Sequence, residues 1–142
     1  KKNLDQTMFI KTINMKIKEV MITPENFAQV NPSEFFKVAL DKMNDSKLGI
    51  ACVVENTSLK GIITDGDIRR KLLNVQKPFS ALFSDYSIDH AITNPTTCNE
   101  NETLRSAVDL MEKKQIWDLP VINDNNDLVG LLHLHAAIKH LI

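Results

Sequence analysis

The sequence lacks several features that would indicate other classes of protein. Its formal net charge is −1, whereas nucleic-acid partners usually require a basic surface. No apolar run approaches the roughly 20 residues of a membrane span, and the charged start has no signal-peptide core. The two cysteines, Cys52 and Cys98, lack CxxC spacing, so we expect reduced thiols. These absences predict a cytoplasmic protein that folds without disulfide, metal or required cofactor and binds neither nucleic acid nor membrane.

An internal repeat is present instead. The segment LKGIITDGDIRRKL (59–72) aligns with LVGLLHLHAAIKHL (128–141), at an offset of 69 residues from Gly61 to Gly130. Apolar, β-branched stretches separated by a polar turn predict two strands in each copy, followed by a helix.

A second pair of aligned segments lies upstream and predicts one further helix in each copy. Asn31 and Glu34 form a capping-box pattern, and Pro32 suits the first helical position. Asn99 and Glu102 repeat this pattern. The apolar faces at i, i+3, i+4 and i+7 consist of Phe36, Ala39, Leu40 and Met43 in the first copy and Leu104, Ala107, Val108 and Met111 in the second.

These elements predict an α+β fold of two β-α-β-β-α halves. We place the halves at residues 16–75 and 87–142, with a tail or linker at 1–15 and a connector at 76–86 that includes a short helix around 79–84. A half of about 55 residues is marginally stable alone. We therefore expect the halves to pack through their sheets with pseudo-two-fold symmetry.

The stretch GIITDGDIRR (61–70) concentrates polar chemistry directly after a predicted strand. A carboxylate such as Asp67 can accept hydrogen bonds from two vicinal ribose hydroxyls. The Thr64 hydroxyl and the amides that follow it can bind a phosphate. Arg69 and Arg70 either add positive charge to such a site or form a solvated first helical turn.

A simpler interpretation of the same stretch involves no ligand. In that interpretation, Asp65, Gly66 and Asp67 form a tight turn, and Asp67 caps a helix over residues 68–74. The two roles are compatible, because a capping side chain can also contact a ligand.

The repeat, together with the motif Gly61-x-x-Thr64-x-x-Asp67, resembles a tandem pair of CBS domains, the Bateman module. Within that superfamily it is most similar to the C-terminal regulatory half of arabinose-5-phosphate isomerases, the sugar-phosphate isomerases of lipopolysaccharide precursor synthesis. The stretches Lys47-Leu48-Gly49 and Gly130-Leu-Leu-His133-Leu-His135 carry this similarity. CBS pairs of sugar-phosphate nucleotidyltransferases have a similar TDGDIRR.

The resemblance implies a regulatory nucleotide site. Its ligand would be an adenosine nucleotide (AMP, ADP or ATP) or a CMP-sugar end product. By the resemblance, Thr64 holds the phosphate and Asp67 the ribose, within the motif that Gly61 begins. The base would lie between apolar residues of the first two strands, which we place at Ile22, Thr23, Ile50 and Ala51.

The second copy departs from this motif. His133 and Ala136 stand where the first copy has Thr64 and Asp67, and an alanine cannot hold a ribose. We therefore expect one orthodox site and one degenerate second site at His133 and His135. The two histidines should share one face of a strand, as core residues, as donors to a phosphate or carboxylate, or, less favoured, as metal ligands.

The function implied is regulation of a linked arabinose-5-phosphate isomerase domain absent from this chain, which would itself not be an enzyme. CBS pairs commonly form flat dimers, so we expect a homodimer. Two alternatives stay open: a structural dimerisation module without a ligand, and the CBS pair of a sugar-phosphate nucleotidyltransferase.

Overall fold

The computed structural model describes residues 14–141, so the predicted tail or linker at 1–15 lies outside the described residues except for its last two positions. Ten elements alternate as the repeat predicts, which confirms the α+β class. They are β1 (Ala28–Val30), α1 (Phe36–Ser46), β2 (Ile50–Glu55), β3 (Ser58–Thr64), α2 (Asp65–Asn74), β4 (Cys98–Asn99), α3 (Leu104–Lys114), β5 (Asp118–Ile122), β6 (Leu128–His133) and α4 (Leu134–Lys139).

Each half contributes one three-stranded sheet, in the orders β1-β2-β3 and β4-β5-β6. β1 is parallel to β2, and β2 is antiparallel to β3 in a register that places Ile50 opposite Thr64. The turn between β2 and β3 has positive φ at Asn56 (51°) and Thr57 (74°), as a two-residue hairpin requires. A short 3-10 helix over Phe79–Leu82 confirms the helix predicted around 79–84.

The predicted apolar faces of α1 and α3 cover the two sheets. In the first half Phe36, Ala39 and Met43 are buried, and in the second half Leu104, Ala107, Val108 and Met111 are buried. Each face packs on alternate residues of its sheet, in clusters that include Ala51, Val53 and Ile63 or Leu119, Val121 and Leu132. Among residues 14–141, no helix is both long and apolar enough to cross a membrane.

Helix α1 begins later than the sequence predicts. Glu34 does reach back as predicted, and its Oε1 accepts the Asn31 N–H (2.9 Å). The Asn31 side chain, however, accepts the N–H of Ser33 (3.1 Å), and the Glu34 N–H donates to the Asn31 carbonyl (3.2 Å). These bonds close a separate turn that contains Pro32, and α1 begins only at Phe36. The Phe36 N–H donates to the carbonyl of Asp85 (2.8 Å), so a distant segment replaces the local cap.

In the second copy, helix α3 also begins later than the sequence predicts. Asn99 donates its N–H to Glu102 (2.8 Å), but α3 begins at Leu104 and is capped by the Thr103 hydroxyl. The Leu104 N–H donates to the carbonyl of Met15 (2.7 Å), again a residue remote in sequence. The Asn-x-x-Glu pattern therefore marks a turn before each helix and not the helix start itself.

The described residues divide into two compact units. The first unit contains residues 24–95 and 126–128, and the second contains 14–23, 96–125 and 129–141. Segment 14–23 thus lies in the second unit, where Ile22 pairs with Leu131 of β6, and Ile92 correspondingly pairs with Ile62 of β3.

The physical reason is that β3 and β6 are edge strands, whose free amides and carbonyls require partners. The compact units therefore group segments 14–23 and 87–95 by their strand partners, and the repeat boundaries at 16–75 and 87–142 stay a prediction. The packing of the halves through their sheets stays a prediction.

Both cysteines are free and buried, as expected for reduced thiols. Burial, followed by the nearby Glu102 carboxylate, raises the pKa of Cys98 to about 12. A thiol of this kind is an inert packing group.

Candidate functional site

The junction between β3 and α2 carries the predicted site. Thr64 ends β3 and is the N-cap of α2, which begins at Asp65 without an intervening turn. The Thr64 hydroxyl accepts from the Asp67 N–H (3.3 Å) and donates to Asp67 Oδ2 (2.7 Å). The interpretation of residues 65–67 as a tight turn is therefore wrong. Thr64 is the cap, and no glycine among the described residues has the positive φ that such turns often need.

The Asp67 carboxylate is held from two sides. Its side chain is 15% exposed, and Oδ1 accepts from a guanidinium nitrogen of Arg70 at 2.5 Å, while Oδ2 accepts from Thr64. Each carboxylate oxygen has two lone pairs, so both can accept a further hydroxyl hydrogen. The fold thus presents a fixed and partly shielded carboxylate at the N-terminus of a ten-residue helix.

The stretch GIITDGDIRR contains two glycines, and packing requires only one of them. A Cβ at Gly61 would lie 2.8 Å from the carbonyl oxygen of Ile92, so the pairing of segment 87–95 with β3 requires glycine there. A Cβ at Gly66 would meet nothing closer than 3.6 Å, an ordinary contact. Packing therefore explains the glycine at position 61 but not the glycine at position 66. A role of Gly61 in ligand binding stays a prediction.

The residues predicted to hold a base are not brought together within one unit. Ile50 pairs with Thr64 and, like Ala51, is fully buried. Ala51 packs in the core of the first unit. Ile22 and Thr23 belong to the second unit. The base pocket therefore stays a prediction.

The second junction is built differently. β6 ends at His133, whose Nδ1 lies 2.8 Å from Asp118 Oδ1, and α4 begins at Leu134 without a side-chain cap. His135 is exposed in the first turn of α4, so the prediction that it shares a strand face with His133 is wrong. Among residues 14–141, no three His, Cys, Asp or Glu side chains are grouped to hold a metal ion.

Sequence reasoning missed two side-chain contacts, Asp67 with Arg70 and Asp118 with His133. The spacing of Asp67 and Arg70 at i, i+3 on a helix was an available signal, since such residues are neighbours on the helix surface. The contact between Asp118 and His133 depends on the adjacency of β5 and β6 in one sheet, which sequence spacing does not reveal.

Comparison with known proteins shows that this chain is similar to proteins that contain CBS domains. The CBS domain model matches residues 17–74 and 84–142. The probable arabinose 5-phosphate isomerase of Haemophilus influenzae is 38% identical over 121 residues, which cover 85% of this chain and 34% of the relative. The CBS domain-containing protein YhcV of Bacillus subtilis is 33% identical over 122 residues, which cover 83% of this chain and 79% of that protein.

The fold is also that of a solved CBS-pair structure. The crystal structure of CBSX2 in complex with AMP superposes with a TM-score of 0.76 at 21% identity, covering 88% of this chain and 94% of the other. The chain spans about a third of the length of the isomerase it matches. It belongs to the CBS-domain family and consists of two such domains in tandem.

Proposed function

We propose that this chain is the nucleotide-sensing regulatory part of an arabinose-5-phosphate isomerase, with one nucleotide site at Thr64 and Asp67. The observation that carries the proposal is the fixed Asp67 carboxylate beside the capping hydroxyl of Thr64 at the N-terminus of α2. The isomerase relative, of which this chain matches about a third, supports the link to a catalytic domain.

The geometry suits a nucleotide in two respects. The lone pairs of Asp67 that remain can accept the two vicinal hydroxyls of a ribose. The dipole of α2 favours an anion at its N-terminus, where Gly66 carries no side chain and the Arg70 guanidinium lies 3.6 Å from the position of a Cβ. A phosphate near Thr64 and a ribose near Asp67 fit a 5′-nucleotide.

An adenosine nucleotide is the favoured ligand, because CBSX2 was solved in complex with AMP and has the same fold. A CMP-sugar, as an end product of the parent pathway, is the second candidate. Either ligand would regulate a linked domain only to the extent that it binds two conformations of the module with different affinity.

A thermal-shift panel tests this proposal. AMP, ADP, ATP, S-adenosylmethionine, CMP and a CMP-sugar, each at 1 mM, are added to the wild-type chain and to Asp67→Ala. A ligand with a Kd of about 10 μM should stabilise the wild type by roughly 2.7 kcal/mol. Asp65→Asn is the matched control, because it removes a carboxylate from the same helical turn. Asp65 makes no hydrogen bond to Asp67 among those described.

A shift that Asp67→Ala removes and Asp65→Asn retains supports the proposal and identifies the metabolite. The absence of a shift with every ligand would contradict it, and so would a shift of equal size in Asp67→Ala.

A second candidate role, homodimerisation, is favoured by exposed apolar side chains on α2. Leu73 is 81% exposed and Leu72 is 52% exposed on this helix. Large exposed leucines next to each other are typical of an interaction surface. Sedimentation equilibrium should show a dimer that Leu73→Glu dissociates, whereas a monomeric wild type would exclude this role.

A further inference from the structure

Arg70 and the ribose hydroxyls would compete for the same carboxylate. Arg70 lies one helical turn after Asp67 and donates to its Oδ1 at 2.5 Å. Because Thr64 already donates to Oδ2, both oxygens of Asp67 are engaged by the protein itself. A ribose that uses Asp67 must share Oδ1 with the guanidinium or displace it.

The guanidinium also covers the first turn of α2. Two of its nitrogens, Nη1 and Nη2, lie 3.6 Å from the position that a Cβ of Gly66 would occupy. Packing within the unit does not require glycine at position 66. Arg70 therefore lies over the surface that a phosphate at the N-terminus of α2 would approach.

Helix stability does not explain this position. A cation that reaches back over the first turn of a helix opposes the helix dipole. The Arg70 side chain is 67% exposed, and exposed ion pairs contribute little to folding. The neighbouring Arg69 is exposed and makes none of the hydrogen bonds or ion pairs described for residues 14–141.

A phosphate changes this competition. Guanidinium groups bind phosphate through two parallel hydrogen bonds, and such charge-assisted bonds are strong. A ligand that carries a phosphate gives Arg70 a new partner and leaves Asp67 to the ribose. A ligand without a phosphate must share Oδ1 with the guanidinium or displace it, and it offers Arg70 no new partner.

We propose that Arg70 is the residue by which the Thr64–Asp67 site distinguishes phosphorylated nucleotides from nucleosides, a proposal that rests on the nucleotide site proposed above. Arg70 competes with the ribose for Asp67 and binds the phosphate instead when one is present. The site therefore binds 5′-nucleotides more tightly than the corresponding nucleosides.

Calorimetric titration of two ligand pairs, AMP with adenosine and CMP with cytidine, tests this inference on the full chain. In Arg70→Ala the Kd for the nucleotide should rise about 10- to 100-fold. The Kd for the nucleoside should stay the same or fall by up to about fivefold. Arg70→Lys keeps the charge without the planar fork, so its nucleotide Kd should rise less than about tenfold.

Arg69→Ala is the matched control, since it removes the same charge from the neighbouring exposed position. It should change the ratio of nucleotide to nucleoside affinity by less than about twofold. The inference about Arg70 is overturned if Arg70→Ala weakens nucleotide and nucleoside equally, or weakens the nucleotide no more than Arg69→Ala does.

The failure of the two proposals can be distinguished. If the wild type binds a nucleotide and Asp67→Ala does not, the site is established, and the Arg70 variants decide the inference alone. If the wild type binds neither nucleotide, the nucleotide site and the role of Arg70 are both overturned.

Discussion

The two strand-to-helix junctions occupy equivalent positions in the repeat and differ in every residue that contacts a ligand in our proposal. In the first, Thr64 caps a ten-residue helix and orders Asp67. In the second, His133 takes the position of Thr64, Ala136 takes that of Asp67, and α4 has six residues and no side-chain cap. One backbone plan thus supports two different local chemistries.

At the second junction the carboxylate comes from a strand and not from the start of the helix. His133 is held by Asp118 at the start of β5, whereas the aligned position in the first copy is Gly49. A carboxylate in that place fixes a side chain within the sheet and is not presented at the start of a helix. We therefore propose that the second junction serves structure, and we expect that a single substitution at Ala136 would not create a nucleotide site there.

The largest predicted effect tests whether the equivalent core residues of the two halves contribute similarly to stability. Phe36 and Leu104 occupy equivalent helix positions and are both 0% exposed. Phe36→Ala should lower the free energy of unfolding by about 3–5 kcal/mol and Leu104→Ala by about 2–5 kcal/mol. Urea denaturation measures both, and a loss below about 1 kcal/mol in either variant would contradict the assignment of these residues to the cores.

The next effect distinguishes the two aligned glycines. A Cβ at Gly61 would lie 2.8 Å from the backbone oxygen of Ile92, whereas at Gly130 the nearest atoms belong to the flexible side chain of Met21. Gly61→Ala should therefore destabilise the chain by about 1–3 kcal/mol, and Gly130→Ala by less. Thermal unfolding of the two variants in parallel measures the difference. An equal loss would show that the Met21 side chain and the Ile22 carbonyl, whose oxygen lies 3.0 Å from the Cβ position, cannot move aside.

The order of the elements was predictable because each apolar face recurs in both copies. Thr64 and Asp67 were also predictable as neighbours, since they are three residues apart at the start of a helix. The helix starts were not, because the amide of Phe36 is satisfied by Asp85, which is remote in sequence. The sequence also did not reveal that segment 14–23 belongs to the second unit and segment 87–95 to the first, because the strands that they pair with are remote in sequence.

A smaller effect separates stability from binding at the two junctions. Thr64→Ala removes a cap and should cost about 0.5–2 kcal/mol, and it should also weaken nucleotide binding. His133→Ala removes its bond to Asp118 and should cost about 1 kcal/mol without changing nucleotide affinity. Denaturation and calorimetry on both variants measure the two effects, and a loss of nucleotide affinity in His133→Ala would place part of the site in the second half.

The smallest effect has opposite signs for folding and for binding. Gly66 is helical, and a Cβ there would make only ordinary contacts, so Gly66→Ala should stabilise the chain by roughly 0.5–1 kcal/mol. The added methyl group would lie where a phosphate approaches α2, so nucleotide affinity should fall. Stabilisation with undiminished affinity would show that the phosphate does not contact this turn.

The stoichiometry of AMP binding tests the central claim most directly, that the first junction is a nucleotide site and the second is not. Isothermal titration calorimetry on the wild-type chain and on Asp67→Ala measures it. We predict one AMP per chain in the wild type and none in Asp67→Ala. Two AMP molecules per chain, or one that persists in Asp67→Ala, would contradict the account.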